Sequence, residues 1–188
     1  MAFLSPYFQH SACNYCKIHL YDDPFLGTMS ASLKECDPSL LTSYAERLHK
    51  LAEKSESYSL LYENAACLCD ALSKKLPLAK KTRALYEQGD KQSLLALAEG
   101  DYTDCIRLVD IFHKSFRRQW YSINKTYGFE VHDARLGGLK CRLESCKERL
   151  IDYANGVIPE IAELAEPLLP FKDTYVTSWA EMISANIV

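Results

Sequence analysis

The chain has 188 residues, 48% hydrophobic and 25% charged, with a formal net charge of −3. That size and balance fit one medium globular domain, large enough to bury a core without metal or disulfide help. The charge excludes a global field that would recruit nucleic acid or an anionic membrane, and no run approaches the ~20 apolar residues of a membrane helix. Only seven glycines and seven prolines occur, and β-branched residues are sparse, which favours helix over sheet.

Residues 1–36 show no clean period. Pro6, Pro24 and Gly27 punctuate them, so they read as an irregular entry segment lying against the helices of the remaining chain. The opening MAFLSPYFQH lacks the basic and apolar runs of a signal peptide. Asp37-Pro38 starts a helix, with Asp as N-cap and Pro at the first helical position. Leu41, Tyr44, Leu48, Leu51 and Ser55 mark that helix, about 38–55. Tyr58, Leu61, Ala65, Leu68 and Leu72 mark a second, about 58–75, which Pro77 breaks or kinks. A further helical piece runs to about Glu87. Gly89-Asp90 reads as a C-cap followed by an N-cap, and Gly100-Asp101 repeats the signal around a short helix at about 91–98.

Two long helices are predicted next, Tyr102 to Asn124 and Glu130 to Asn155, packed antiparallel. The first carries Val109, Phe112, Phe116, Trp120 and Ile123 on one face. The second carries Leu136, Leu139, Leu143, Cys146, Leu150 and Tyr153 at steps of three and four, opposite a solvated face of Lys140, Arg142, Glu144, Lys147, Glu148 and Arg149. Gly156 closes it, and Pro159 to Leu164 suggests a last short helix. The expected fold is all-α: a bundle of long antiparallel helices over 37–165, with the entry segment before it and a tail over 166–188 anchored by Trp179.

The eight cysteines include Cys105 and Cys146 on predicted apolar faces. They read as small core residues of a reduced, cytoplasmic protein rather than a disulfide framework. His10, Cys13, Cys16 and His19 have knuckle-like spacing for zinc. A structural zinc site draws its second ligand pair from a distant segment, and four ligands in one short loop would strain it. No zinc or other cofactor is therefore expected. Lys114, Arg117, Arg118 and Lys125 flank Trp120 and Tyr121, but at this net charge they read as a solvated helix face, not a nucleic-acid site.

The stretch between the long helices breaks the local rules. Gly137 and Gly138 are adjacent inside a regular helix, where each costs roughly 1 kcal/mol against Ala. Trp120, Tyr121, Tyr127 and Phe129 crowd the turn before them. NKTYGFEVHDARLGGLKCRLESCKERLIDYANG resembles the C-terminal helical domain of a bacterial subgroup of glycoside hydrolase family 20, the β-N-acetylhexosaminidases. Thr126 and Tyr127 stand where that pattern has Pro and Phe. HLYDDPFLG, His19 to Gly27, resembles the segment that follows the family's catalytic barrel.

The resemblance implies an accessory domain whose parent removes terminal β-linked GlcNAc or GalNAc, with the barrel as partner, a homodimeric enzyme and a role at the active-site rim. The family's catalytic Asp-Glu dipeptide occurs nowhere in the chain. The strand–helix alternation of a (β/α)8 barrel is also missing, so no catalytic residue is assigned and the chain alone is expected to be inactive. Asp22, Asp23, Glu130 and Asp133 read as capping or interface charges. Trp120, Tyr121, Asn124, Gly128, Glu130, Asp133, Arg135, Gly137 and Gly138 are the candidate contact surface. The alternatives are a free-standing helical interaction module and a zinc-linked regulator.

Overall fold

The computed structural model describes residues 19–27 and 37–167, and no strand occurs among them. Residues 19–21 are helical, and six further α-helices follow in order: α1 (Pro38–Lys54), α2 (Ser59–Glu87), α3 (Lys91–Leu97), α4 (Thr103–Ile123), α5 (Phe129–Ala154) and α6 (Ala162–Ala165). The architecture is the expected all-α bundle. Cross-helix pairs set the directions. Asp110 meets Lys140, His113 meets Asp133, and Phe116 meets His132. One number rises as the other falls, so α4 and α5 run antiparallel. Glu63–Arg118, Asn64–Gln119 and Thr82–Tyr102 show the same for α2 and α4.

The caps behave as local chemistry requires. Asp37 accepts from the Ser39 amide with Pro38 at the first helical position, and Asp90 accepts from the Ser93 amide. At the end of α2, Gly89 has φ +66°. Its amide bonds to the Tyr86 carbonyl, and that of Asp90 bonds to Leu85. This pairing satisfies carbonyls that the helix end leaves free.

Several expectations are corrected. Pro77 does not break its helix: α2 runs unbroken for 29 residues. The buried Ala71, Leu72, Lys75, Leu78 and Thr82 bracket the proline, and this packing outweighs the lost hydrogen bond to the Ser73 carbonyl. Gly100-Asp101 does not stop a helix either. Residues Ala98–Tyr102 form a π-helical turn that carries the chain from α3 into α4.

The apolar stripe of α2 holds only in its later part. Tyr58 and Leu61 are exposed, while Leu68 packs against the core and Leu72 is buried, with Ala66, Cys67 and Ala71 buried beside them. This helix packs against both α1 and α4, so no single stripe describes it. In α1 only Ala45 is fully buried, while Tyr44 and Leu51 face solvent.

Leu136, Leu139, Leu143, Cys146 and Leu150 of α5 form the centre of the core with Leu78, Leu94, Tyr102, Cys105 and Val109. Burying each such side chain is worth roughly 1.5–3 kcal/mol. Leu20, Tyr21 and Phe25 of the entry segment belong to the same core. The charged face of α5 is correspondingly less solvated than its pattern suggests. Arg142 and Arg149 hold Asp23 and Glu163, and Lys140 holds Asp110.

Candidate functional site

Five residues, 124–128, join α4 to α5. Asn124 ends α4 in an extended conformation, with its amide on the Trp120 carbonyl. Gly128 then takes φ +92°, a left-handed conformation that side chains disfavour, and caps α5. Its amide donates to Glu130 Oε2 at 2.7 Å. The Trp120 indole donates to the Lys125 carbonyl at 3.0 Å, and a Cβ placed on Gly128 would lie 3.6 Å from that ring. The turn is thus fastened from both sides by residues of its own hairpin.

Phe129, fully buried, is the hub beneath it. Phe116, Trp120, Tyr121 and His132 surround its ring at centroid distances of 5.4 to 5.9 Å. His113 stacks on it at 6.0 Å, and the Arg117 guanidinium lies 5.7 Å from its centroid. Each aromatic pair of this kind adds about 0.5–1.5 kcal/mol beyond its burial. His113 Nε2 and Arg117 Nη2 both lie 2.7 Å from the same Asp133 oxygen. Burial alone would raise the Asp133 carboxyl, but Arg117 and His113 outweigh it and hold the group below the usual carboxylate range.

Above this hub three large apolar side chains stand exposed among the polar Ser122, Asn124, Lys125 and Thr126. Tyr127 is 84% exposed, Ile123 71% and Tyr121 47%. Ile123 was expected on the buried face, but α5 begins only at Phe129, so no residue of α5 lies level with it. The basic patch is largely neutralised: Lys114 pairs with Asp110, Arg117 with Asp133 and Arg118 with Glu63.

The nine candidate residues therefore divide. Trp120, Tyr121, Asn124, Gly128 and Glu130 build the turn, and Asp133 anchors its base. Gly137 has open space where a Cβ would sit and no left-handed φ, so neither packing nor backbone conformation demands glycine there. Arg135 belongs elsewhere. It is close enough to Tyr21 to oppose the burial that pushes that phenol up to about 12. Gly138 shares the helical face of Arg135 and Arg142 by its three- and four-residue spacing, which is the face toward the entry segment. Sequence reasoning missed His113 and His132. The one available signal was that His113, Phe116, Arg117 and Trp120 repeat at three- and four-residue steps.

The entry segment forms a second polar centre. Asp23 accepts from the amides of Phe25 and Leu26, both at 2.9 Å, and from Arg142. Arg83 donates to the carbonyls of Phe25, Glu163, Leu164 and Glu166. Buried Lys75 donates to the Asp22 carbonyl at 2.5 Å. Of the four zinc-like positions only His19 is described. Its Nδ1 is buried without a hydrogen-bond partner, and its pKa is lowered by burial despite Asp22. His10, Cys13 and Cys16 lie outside the described residues, as does Trp179. Among the described residues no group of three or more metal-ligating side chains converges, and no helix is long and apolar enough to cross a membrane.

Residues 6–184 match the family model described as the Glycoside Hydrolase 20C C-terminal domain. No curated protein matches the chain.

Proposed function

Because the chain belongs to the family of glycoside hydrolase 20C C-terminal domains, we propose that it is the non-catalytic helical domain of a bacterial β-N-acetylhexosaminidase acting on terminal β-linked GlcNAc or GalNAc. In this reading the α4–α5 turn docks beside the catalytic barrel and completes the rim of its active site, in an enzyme that works as a homodimer.

The observation that carries the reading is the contrast at the turn. Tyr121, Ile123 and Tyr127 stand exposed on a backbone held by the Trp120–Lys125 and Gly128–Glu130 hydrogen bonds. Aromatic side chains on a rigid support supply contact area at little entropic cost, as interface anchors do. A cytoplasmic setting is part of the same reading.

The test is association with the separately expressed barrel of the parent gene, measured by calorimetry and by turnover of a chromogenic β-N-acetylglucosaminide. Tyr127→Arg and Ile123→Asp should weaken association and lower turnover while leaving the melting temperature of the chain unchanged. An isolated chain that never binds the barrel, or binds it equally well with both substitutions, would overturn the docking assignment and favour a free-standing interaction module.

A further inference from the structure

The outermost helix carries a second, differently organised surface. On α1 the half-buried Leu41, Leu48 and Ala52 flank buried Ala45 and face α2. About 100° around the helix, one residue's turn, lies a row with no such cover. Leu40 is 52% exposed, Tyr44 50% and Leu51 46%. Arg47 continues the row, and Asp37 and Lys54 end it; all three are exposed. Arg47 and Lys54 make no ion pair among the described residues.

The row Asp37, Leu40, Tyr44, Arg47, Leu51, Lys54 is spaced 3, 4, 3, 4, 3, the seam spacing of paired helices. It is also complementary to its own reversal. Laid antiparallel on a second copy about a two-fold axis between Ala45 and Glu46, it sets Leu40 against Leu51 and Tyr44 against Arg47. The same axis sets Asp37 against Lys54. Each contact occurs twice, as a two-fold interface requires. The guanidinium can lie on the phenol ring, and the end charges are opposite. A parallel pairing in register would instead oppose Arg47 to Arg47, Lys54 to Lys54 and Asp37 to Asp37, and like charges across an interface are costly.

From this juxtaposition we infer that α1 is the surface through which two copies of the chain associate, antiparallel and related by a two-fold axis. The inference rests on the homodimer reading above and assigns its interface to α1 rather than to the α4–α5 turn, which stays free for the barrel.

Sedimentation velocity of the full chain over a concentration series tests it, with circular dichroism confirming that each variant is folded. The wild type should dimerise. Tyr44→Arg places a cation against Arg47 of the other copy in two layers and should raise the dissociation constant by on the order of tenfold or more. Tyr44→Glu places a carboxylate there and should keep the dimer, as should the double variant Tyr44→Arg, Arg47→Glu. A wild type that is monomeric up to its solubility limit overturns the α1 assignment, and a parent enzyme that itself sediments as a monomer overturns the homodimer reading. A dimer indifferent to Tyr44→Arg, or lost equally in the Arg and Glu variants, overturns the α1 assignment alone.

Discussion

Asp23 and Arg142 are 119 residues apart in the chain, yet they share two hydrogen bonds, at 2.5 and 3.2 Å. The carboxylate and the guanidinium meet as a two-pronged pair, and Asp23 also closes the tight turn at Phe25 and Leu26. The pair ties the segment preceding the bundle to its last long helix. Asp23→Ala should cost about 1.5–3 kcal/mol, because it removes the charge-assisted bonds to Arg142, which keeps only Glu163 at 3.9 Å as a counter-charge. Urea denaturation at neutral pH measures this.

The same pair has a pH signature. Burial pushes the Asp23 carboxyl up, but Arg142 and the amides of Leu26 and Phe25 outweigh it, and the pKa is lowered. The Asp110 carboxyl, held by Lys114 and Lys140, is lowered to about 2. A depressed carboxyl contributes stability that is complete above its unfolded pKa, ~3.9, and is lost as pH falls through the folded value. The stability gap between wild type and Asp23→Asn should therefore narrow as pH falls below the ordinary carboxylate range. A gap that stays constant across that window would show that the ionised pair is not what Asp23 contributes.

Removal of residues 1–36 should destabilise the bundle more than the loss of a disordered leader would. Phe25 is fully buried against Arg142 and Arg149, and Leu20 and Tyr21 are nearly so. Losing a buried Phe alone costs about 3–5 kcal/mol. A thermal melt of the 37–188 fragment should show a clearly lower midpoint than the full chain.

Pro77→Ala should stabilise the chain by about 1 kcal/mol or more. It restores a helical hydrogen bond to the Ser73 carbonyl inside a helix that is already continuous. Chemical denaturation gives the sign directly, and a loss would mean that the ring itself is needed for packing.

The glycines should respond in opposite directions. Gly137→Ala meets open space in a helix interior and should gain up to ~1 kcal/mol. Gly128→Ala, at φ +92°, should lose roughly 1–2 kcal/mol. Paired melts of the two variants check both signs.

How far the structure could be read in the sequence depended on the range of the forces involved. Caps are local, so Asp37-Pro38, Gly89-Asp90 and Gly156 were legible from a few residues. The α5 core face was legible too, because Leu136 to Leu150 face one side only. Pro77 and Gly100 misled, since long-range packing kept helix going where local propensity argued against it. The pairing of His113 and Arg117 with Asp133 could not be read, because it needs the antiparallel register of α4 on α5. The role of Arg142 was hidden for the same reason: its partner lies in a segment without periodicity.

The fastening of the α4–α5 turn has a consequence for how it can be recognised. Trp120 on Lys125 and Gly128 on Glu130 hold the loop backbone within its own hairpin, so the backbone that carries Tyr121, Ile123 and Tyr127 is set before any encounter. A short peptide copied from residues 119–131 would have to freeze that arrangement on arrival and would lose most of the affinity to the ordering of its backbone, roughly 1–2 kcal/mol per residue. If the loop docks as proposed, the intact helical hairpin is therefore the smallest unit able to compete for that contact.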